Sequence, residues 1–196
     1  KTKSIINLIK MNKTAHLELH RIYLIDALPE PLTRASSHLQ IYDNYIAGTR
    51  LRTRSIRDPY SKAWTYILQQ RIHTDDDPPG VCRLAEMHLN AEEIEIFSPH
   101  HGREIRKNRY FHEFDRHLFA FDVYLGRLWG LNTVRIDFST PDEMRQFEPP
   151  PFVVFEVTGN EFFEGSDLVE RTFADIQAEV AKLGTTLANV TESPDE

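Results

Sequence analysis

The segment IYDNYIAGTRLRTRSIRDPYSKAWTYILQQRI, residues 41–72, places Arg50, Arg52 and Arg54 at every second position. In a β-strand that spacing sends all three guanidinium groups to one face. The intervening residues do not complete an amphipathic strand, since Leu51 is apolar but Thr53 is not. A core would not accept three unpaired cations, because burying charge without partners is costly. The face must therefore look at solvent, at a row of carboxylates, or at a bound polyanion. A turn at Asp58-Pro59 leads into a second strand over Ala63–Arg71, which ends on another cation. Two antiparallel strands can thus gather four arginines into one wall. From spacing alone, a solvated basic face scattered with ion pairs is the plainest reading.

Working outward, the pattern is one of short strands and frequent turns. His16–Ile25 reads as a first strand, stopped by Pro29 and Pro31, with a turn or short helix over Leu32–Gln40. Leu39–Ile46 is the next strand, and Gly48 ends it. TDDDPPG, residues 74–80, is a loop, and Val81–Leu89 follows as a strand. Asn90 with Glu93 forms a capping box for a short helix to Phe97. Three more strands are expected over Glu104–Phe111, Leu118–Leu125 and Asn132–Phe138. Thr140-Pro141-Asp142-Glu143 starts a second short helix to about Phe147, which Pro149–Pro151 ends. Phe152–Thr158 reads as a last strand. Ser166 or Asp167 then caps a longer helix through Leu183, with Leu168, Phe173, Ile176 and Val180 on one side. The order implies an α+β protein, mostly antiparallel β, with short peripheral helices and a C-terminal helix.

At 196 residues and 40% hydrophobic content, the chain can bury a core within one domain. A net charge of −7 argues against a nucleic-acid binder held by bulk charge. The cations are instead local, in the 50–71 segment and at Arg103, Arg106, Lys107 and Arg109. A basic interior within an acidic shell would focus small anions. The single cysteine, Cys82, excludes a disulfide framework and reads as a buried small side chain. No apolar run is long enough for a transmembrane helix, and the block Ile5-Ile6-Asn7-Leu8-Ile9 is too short for a signal peptide, so a cytoplasmic protein is expected. Serine elbows, P-loops and zinc-type cysteine–histidine spacings are not present in the sequence.

Read together, these segments resemble the CYTH superfamily, the triphosphate tunnel metalloenzymes. The likeness rests on Ile41–Arg52 leading into the arginine pair, on the strand ending at Arg71, and on Lys107-Asn108-Arg109-Tyr110. It continues through Phe121–Leu131 with its aspartate and G-L turn, and through Glu156-Val157-Thr158 followed by Phe163 and Leu168. The resemblance spans about Leu17 to Leu168. It implies a closed eight-stranded antiparallel β-barrel, a tunnel whose basic side chains hold phosphates and whose carboxylates hold Mg²⁺ or Mn²⁺. The domain is placed at 16–183, after an N-terminal extension 1–15 and before a flexible polar tail 184–196.

Carried over residue by residue, the resemblance implies substrate contacts from Arg50, Arg52, Arg54, Arg71, Lys107, Arg109 and Arg135. It implies catalytic roles for Glu18, Arg71 and Lys107, and metal contacts from Glu18, Asp137 and Glu156. Arg54 is expected beyond the tunnel's mouth. Arginine forks suit phosphate oxygens, and a hard cation between carboxylates and phosphate would polarise phosphorus. The departures are specific. His20 and Ile22 stand where the opening E-x-E-x-K pattern has glutamate and lysine. Arg135 stands where a strand E-x-E pattern has a glutamate, so it is expected to pair with Asp137, Glu18 or Glu156. The expected function is binding of tripolyphosphate, a nucleoside triphosphate or another small polyphosphate, with metal-dependent hydrolysis weak or lost. The alternatives are an active triphosphatase on inorganic, nucleoside or thiamine triphosphate, and a non-catalytic subunit that is structural or binds a protein partner.

Overall fold

A computed structural model of the chain describes residues 15–74 and 76–191. Of the expected N-terminal extension only Ala15 is described, and 192–196 of the expected tail lie outside the described residues. Among the described residues, nine strands form one antiparallel sheet: β1 (Ala15–Leu24), β2 (Leu39–Tyr45), β3 (Leu51–Arg57), β4 (Trp64–Ile72), β5 (Val81–Leu89), β6 (Glu104–Phe114), β7 (His117–Tyr124), β8 (Asn132–Asp137) and β9 (Phe155–Glu156). The strand order is β5-β4-β3-β2-β6-β7-β8-β1-β9, and β5 also pairs with β1. That last pairing closes eight strands into a barrel, as the sequence reading expects, and leaves β9 as a short flap on β1.

The register decides what points inward. Directly opposed residues of an antiparallel pair face the same side. Asp43 opposes Arg54, Tyr45 opposes Arg52, and Arg52 opposes Gln69. Arg71 opposes Leu84, Glu18 opposes Cys82, and Arg109 opposes Asp122. Arg135 opposes Ile22 and Ala120. The period-two alternation therefore sends a set of charged residues from most of the barrel strands into the lumen.

With a polar lumen, the apolar core has to lie elsewhere. One cluster packs the outward side chains Leu19, Tyr23, Tyr110, Phe119, Phe121, Val134 and Ile136 against Met144, Phe147 and Phe152. The short helix α2 (Pro141–Gln146) and the segment after it cover this wall. A second cluster closes one end of the barrel, where Ile105, Tyr124 and Leu131 meet Phe163, Leu168, Val169 and Ile176. Helix α1 (Ala91–Glu95) lies near β4 and β5 and starts on the expected capping box, with the Asn90 side chain accepting from Glu92 and Glu93 N–H.

Two elements differ from expectation. β9 spans only Phe155–Glu156, because β5 already occupies that edge of β1 as far as Leu19. Single bonds from Val154 N–H to Leu24 and from Val157 N–H to Ile22 extend the contact without a ladder. The single C-terminal helix is two helices, α3 (Gly165–Leu168) and α4 (Phe173–Thr191). The second starts on Thr172 and Asp175, whose side chain takes the Thr172 N–H at 2.7 Å. That T-x-x-D capping box is in the sequence, but the apolar stripe through Leu168 disguises it. α4 also continues past Leu183, into the stretch read as tail. Among the described residues, no helix is long and apolar enough to cross a membrane.

Candidate functional site

Three carboxylates anchor the charges of the lumen. Asp43, only 1% exposed, takes both forks of Arg54 at 2.6 and 2.7 Å, with Arg52 at 3.8 Å. The pair arises directly from the β2–β3 register. Asp122 takes Arg109 at 2.7 Å on each oxygen and Lys107 at 2.7 Å. Glu18 lies between Arg71 at 3.1 Å and Arg135 at 3.0 Å, and accepts the Cys82 thiol at 3.2 Å. Arg135 also donates to Asp137 at 2.9 Å, so two of its expected partners are its actual ones.

Electrostatics follow from this packing. Burial would raise the Asp43 carboxyl, but Arg54 and Arg52 hold it well below the usual carboxylate range. Asp122 behaves alike, with Arg109 and Lys107 overriding its burial. Burial also opposes ionisation of Glu18, yet Arg135 and Arg71 bring its carboxyl down to about 2. Burial pushes Lys107 down to about 8 against the pull of Asp122. Burial, helped by Arg135 and Arg71, lowers His20 to about 2, so its imidazole is neutral.

Arg52, Arg54, Arg71, Lys107, Arg109 and Arg135 all line one central cavity of about 60 Å³. These six cations outnumber the carboxylates lining the cavity, Asp43, Asp122 and Glu164, and remain in excess when Glu18 and Asp137 beside it are counted, so the lumen carries net positive charge. The cavity is capped by Phe163, Glu164, Gly165 and Leu168. A wider pocket of about 300 Å³ adjoins it, sharing Tyr45, Arg52, Arg71, Glu164 and Gly165 and adding Thr49, Arg50, His73 and Ser166. Arg71 reaches toward both, with Glu164 at 4.0 Å and its Nε buried without a partner.

The sequence reading is thus rearranged in two places. Arg50 precedes β3 and is exposed at the mouth, whereas Arg54, expected beyond the mouth, lines the centre. Glu156 lies outside the lumen. It opposes the outward Tyr23 and binds the outward Arg21 through both carboxylate oxygens. Reasoning from sequence passed over Asp43 as a partner of Arg54, and Asp122 as the partner of Arg109 and Lys107. Each was visible as a carboxylate in phase with the inward cations. What was missing was the register.

The donor set can be tested against a hard divalent cation, which takes about six oxygens at close range. Of Glu18, Asp137 and Glu156, only Glu18 is a largely buried lumen carboxylate, too few oxygens for such an ion, and Asp137 is held by Arg135 at a 62% exposed position. Glu156 faces away. These residues do not converge on a magnesium or manganese site.

No family model matches the chain. The chain is 32% identical over 85 residues to the inorganic triphosphatase of Nitrosomonas europaea, a match covering 42% of this chain and 56% of that protein. It therefore spans little more than half the length of that curated relative. The crystal structure of the inorganic triphosphatase NE1496 has a TM-score of 0.53 at 21% identity, covering 79% of this chain and 95% of that one. A crystal structure described as the hypothetical protein NE1496 gives a TM-score of 0.54 at 21% identity, over 79% of this chain and 99% of that one. At these identities the solved structures establish the shared tunnel fold.

Proposed function

We propose that this chain, which shares the tunnel fold of the inorganic triphosphatase structure, is a CYTH-type tunnel protein that binds a small polyphosphate anion in the lumen, with metal-dependent hydrolysis weak or lost. The observation that carries the reading is the excess of Arg52, Arg54, Arg71, Lys107, Arg109 and Arg135 over the carboxylates they share one cavity with. Guanidinium forks favour phosphate oxygens bidentately. The ligand class is tripolyphosphate or the triphosphate of a nucleotide, entering by the wider mouth, where Arg50, Arg52 and Arg71 meet it first. Loss of hydrolysis is supported by the engagement of Glu18 and Asp137 with arginines and by the outward position of Glu156.

A second reading, an active metal-dependent triphosphatase, is favoured by one observation, the likeness to a relative named for inorganic triphosphate. Phosphoryl transfer needs mainly positioning and charge stabilisation, which arginines supply in part. Calorimetric titration with tripolyphosphate, with and without Mg²⁺ or Mn²⁺, separates the two when phosphate release is followed in the same samples. The expected result is binding that metal leaves unchanged, with no release. Release that depends on metal would favour the triphosphatase instead. Replacing Arg52 and Arg71 together by Ala should weaken binding at least a hundredfold, since each charge-assisted contact is worth about 1.5–3 kcal/mol. Unchanged affinity would remove the anion from the lumen altogether.

A further inference from the structure

Glu18, His20 and Cys82 bring a carboxylate oxygen, an imidazole nitrogen and a sulfur within 4.8 Å of one another on the inner face of β1 and β5. His20 is 2% exposed and Cys82 fully buried. The Nδ1 of His20 is buried without a hydrogen-bond partner, although buried ring nitrogens are normally satisfied. The Cys82 thiol points its proton at the Glu18 carboxylate, 3.2 Å away. Zinc ligands at about 2.0–2.3 Å from the ion stand about 3.5 Å apart in a tetrahedron. The sulfur–oxygen spacing already falls near that value.

We propose that Glu18, His20 and Cys82 form a zinc site, a borderline-soft N/O/S centre in place of a hard-cation site made of carboxylates. Mixed imidazole, thiolate and carboxylate donors select zinc-class ions, whereas magnesium takes oxygens. The ion replaces the thiol proton in the Cys82–Glu18 contact, so binding forms one thiolate and releases that proton to solvent. Zinc, thiolate and carboxylate together are neutral. Arg135 and Arg71, the cations facing Glu18, keep Asp137 and Glu164 as counter-charges. The three protein ligands leave a fourth position for water or an anion oxygen.

The test uses the full chain, stripped of metal by chelation and free of polyphosphate. Co²⁺ is the probe, followed by thiolate-to-cobalt charge-transfer absorption, and Zn²⁺ affinity is measured by competition with a chromogenic chelator. One equivalent of Co²⁺ should give the thiolate band, and Zn²⁺ should abolish it. Cys82→Ser should lose the band and bind Zn²⁺ at least tenfold more weakly, and His20→Gln should weaken Zn²⁺ by a similar factor. Should either variant fail to fold, proton release on adding Zn²⁺ to the unaltered chain decides. At a pH below the ionisation of zinc-bound water, about one proton per zinc is expected, and it comes from the thiol. A missing thiolate band, zinc affinity indifferent to Cys82→Ser, or zinc binding without proton release would each overturn the site. No polyphosphate is present, so failure here leaves the anion-binding reading standing, and failure of that reading leaves the zinc site standing.

Discussion

Asp43 is buried between Arg54 and Arg52, and its charge is tolerable only because both are there. Removing one partner of a buried pair leaves an uncompensated charge, at a cost of about 3–5 kcal/mol. Arg54→Ala should cost about 3 kcal/mol, near the lower end, because Arg52 remains 3.8 Å from the carboxylate. Arg54→Met combined with Asp43→Leu should cost much less, and urea unfolding of the two variants measures the difference. Lys107 gives the pH dependence. Its burial brings it down to about 8, below the ordinary lysine value near 10.5. From pH 8 toward 10.5 the unfolded chain binds more protons than the folded one, so this group's contribution to stability rises with pH. Anion affinity moves the other way, since the folded lumen loses a cation over the same range. A bound polyphosphate should pull a proton onto Lys107, making the binding enthalpy at pH 8–9 depend on the buffer. Lys107→Met should abolish that buffer dependence, and its persistence would assign the proton to another group.

The cap formed by α3 shows how an element's position depends on one small residue. A Cβ on Gly165 would stand 1.7 Å from the Tyr45 hydroxyl, the oxygen that accepts from Arg52 at 3.1 Å. Gly165→Ala should therefore push α3 off the mouth and displace Tyr45, at about 1–3 kcal/mol of overpacking. Chemical denaturation should report that loss, with tripolyphosphate affinity reduced because Arg52 loses its support. Unchanged stability and affinity would mean that α3 moves freely. The strands of the barrel were legible because the 50–54 arginines and the inward carboxylates obey a period of two. Closure was not legible from that period, since nothing local states that β1 pairs with β5. The cap was missed for a related reason: the apolar stripe runs through Leu168 and Ile176 alike, and only Thr172–Asp175 marks the break. Glu156 was misplaced because a two-residue strand carries too little periodicity to tell its inner face from its outer.

Across the whole molecule, a net charge of −7 surrounds a lumen with more cations than carboxylates. Like charges held together in a weakly screened interior repel, and the folded chain bears that repulsion. A polyanion bound as proposed would sit where the repulsion is greatest and on the folded state alone, so it should stabilise the barrel by mass action. At a hundredfold excess over its dissociation constant the gain is about 2.7 kcal/mol. For a chain of this size that should raise the melting temperature by roughly 5–10 °C. Phosphate at the same ionic strength should give a smaller shift, because one phosphate cannot bridge Arg52, Arg71 and Lys107 together. The acid side has the opposite origin. Asp43, Asp122 and Glu18 are held below their unfolded values, so their stabilisation is complete above about pH 4 and drains away as pH falls through the folded values. Protonating them also strips the lumen of its counter-charges and leaves its cations mutually exposed. Acid melting scans with and without tripolyphosphate should therefore diverge as pH falls from about 3 toward 2, where Glu18 gains its proton, with the protected sample unfolding later. Coincident scans would mean that the anion does not reach the cations that the carboxylates release.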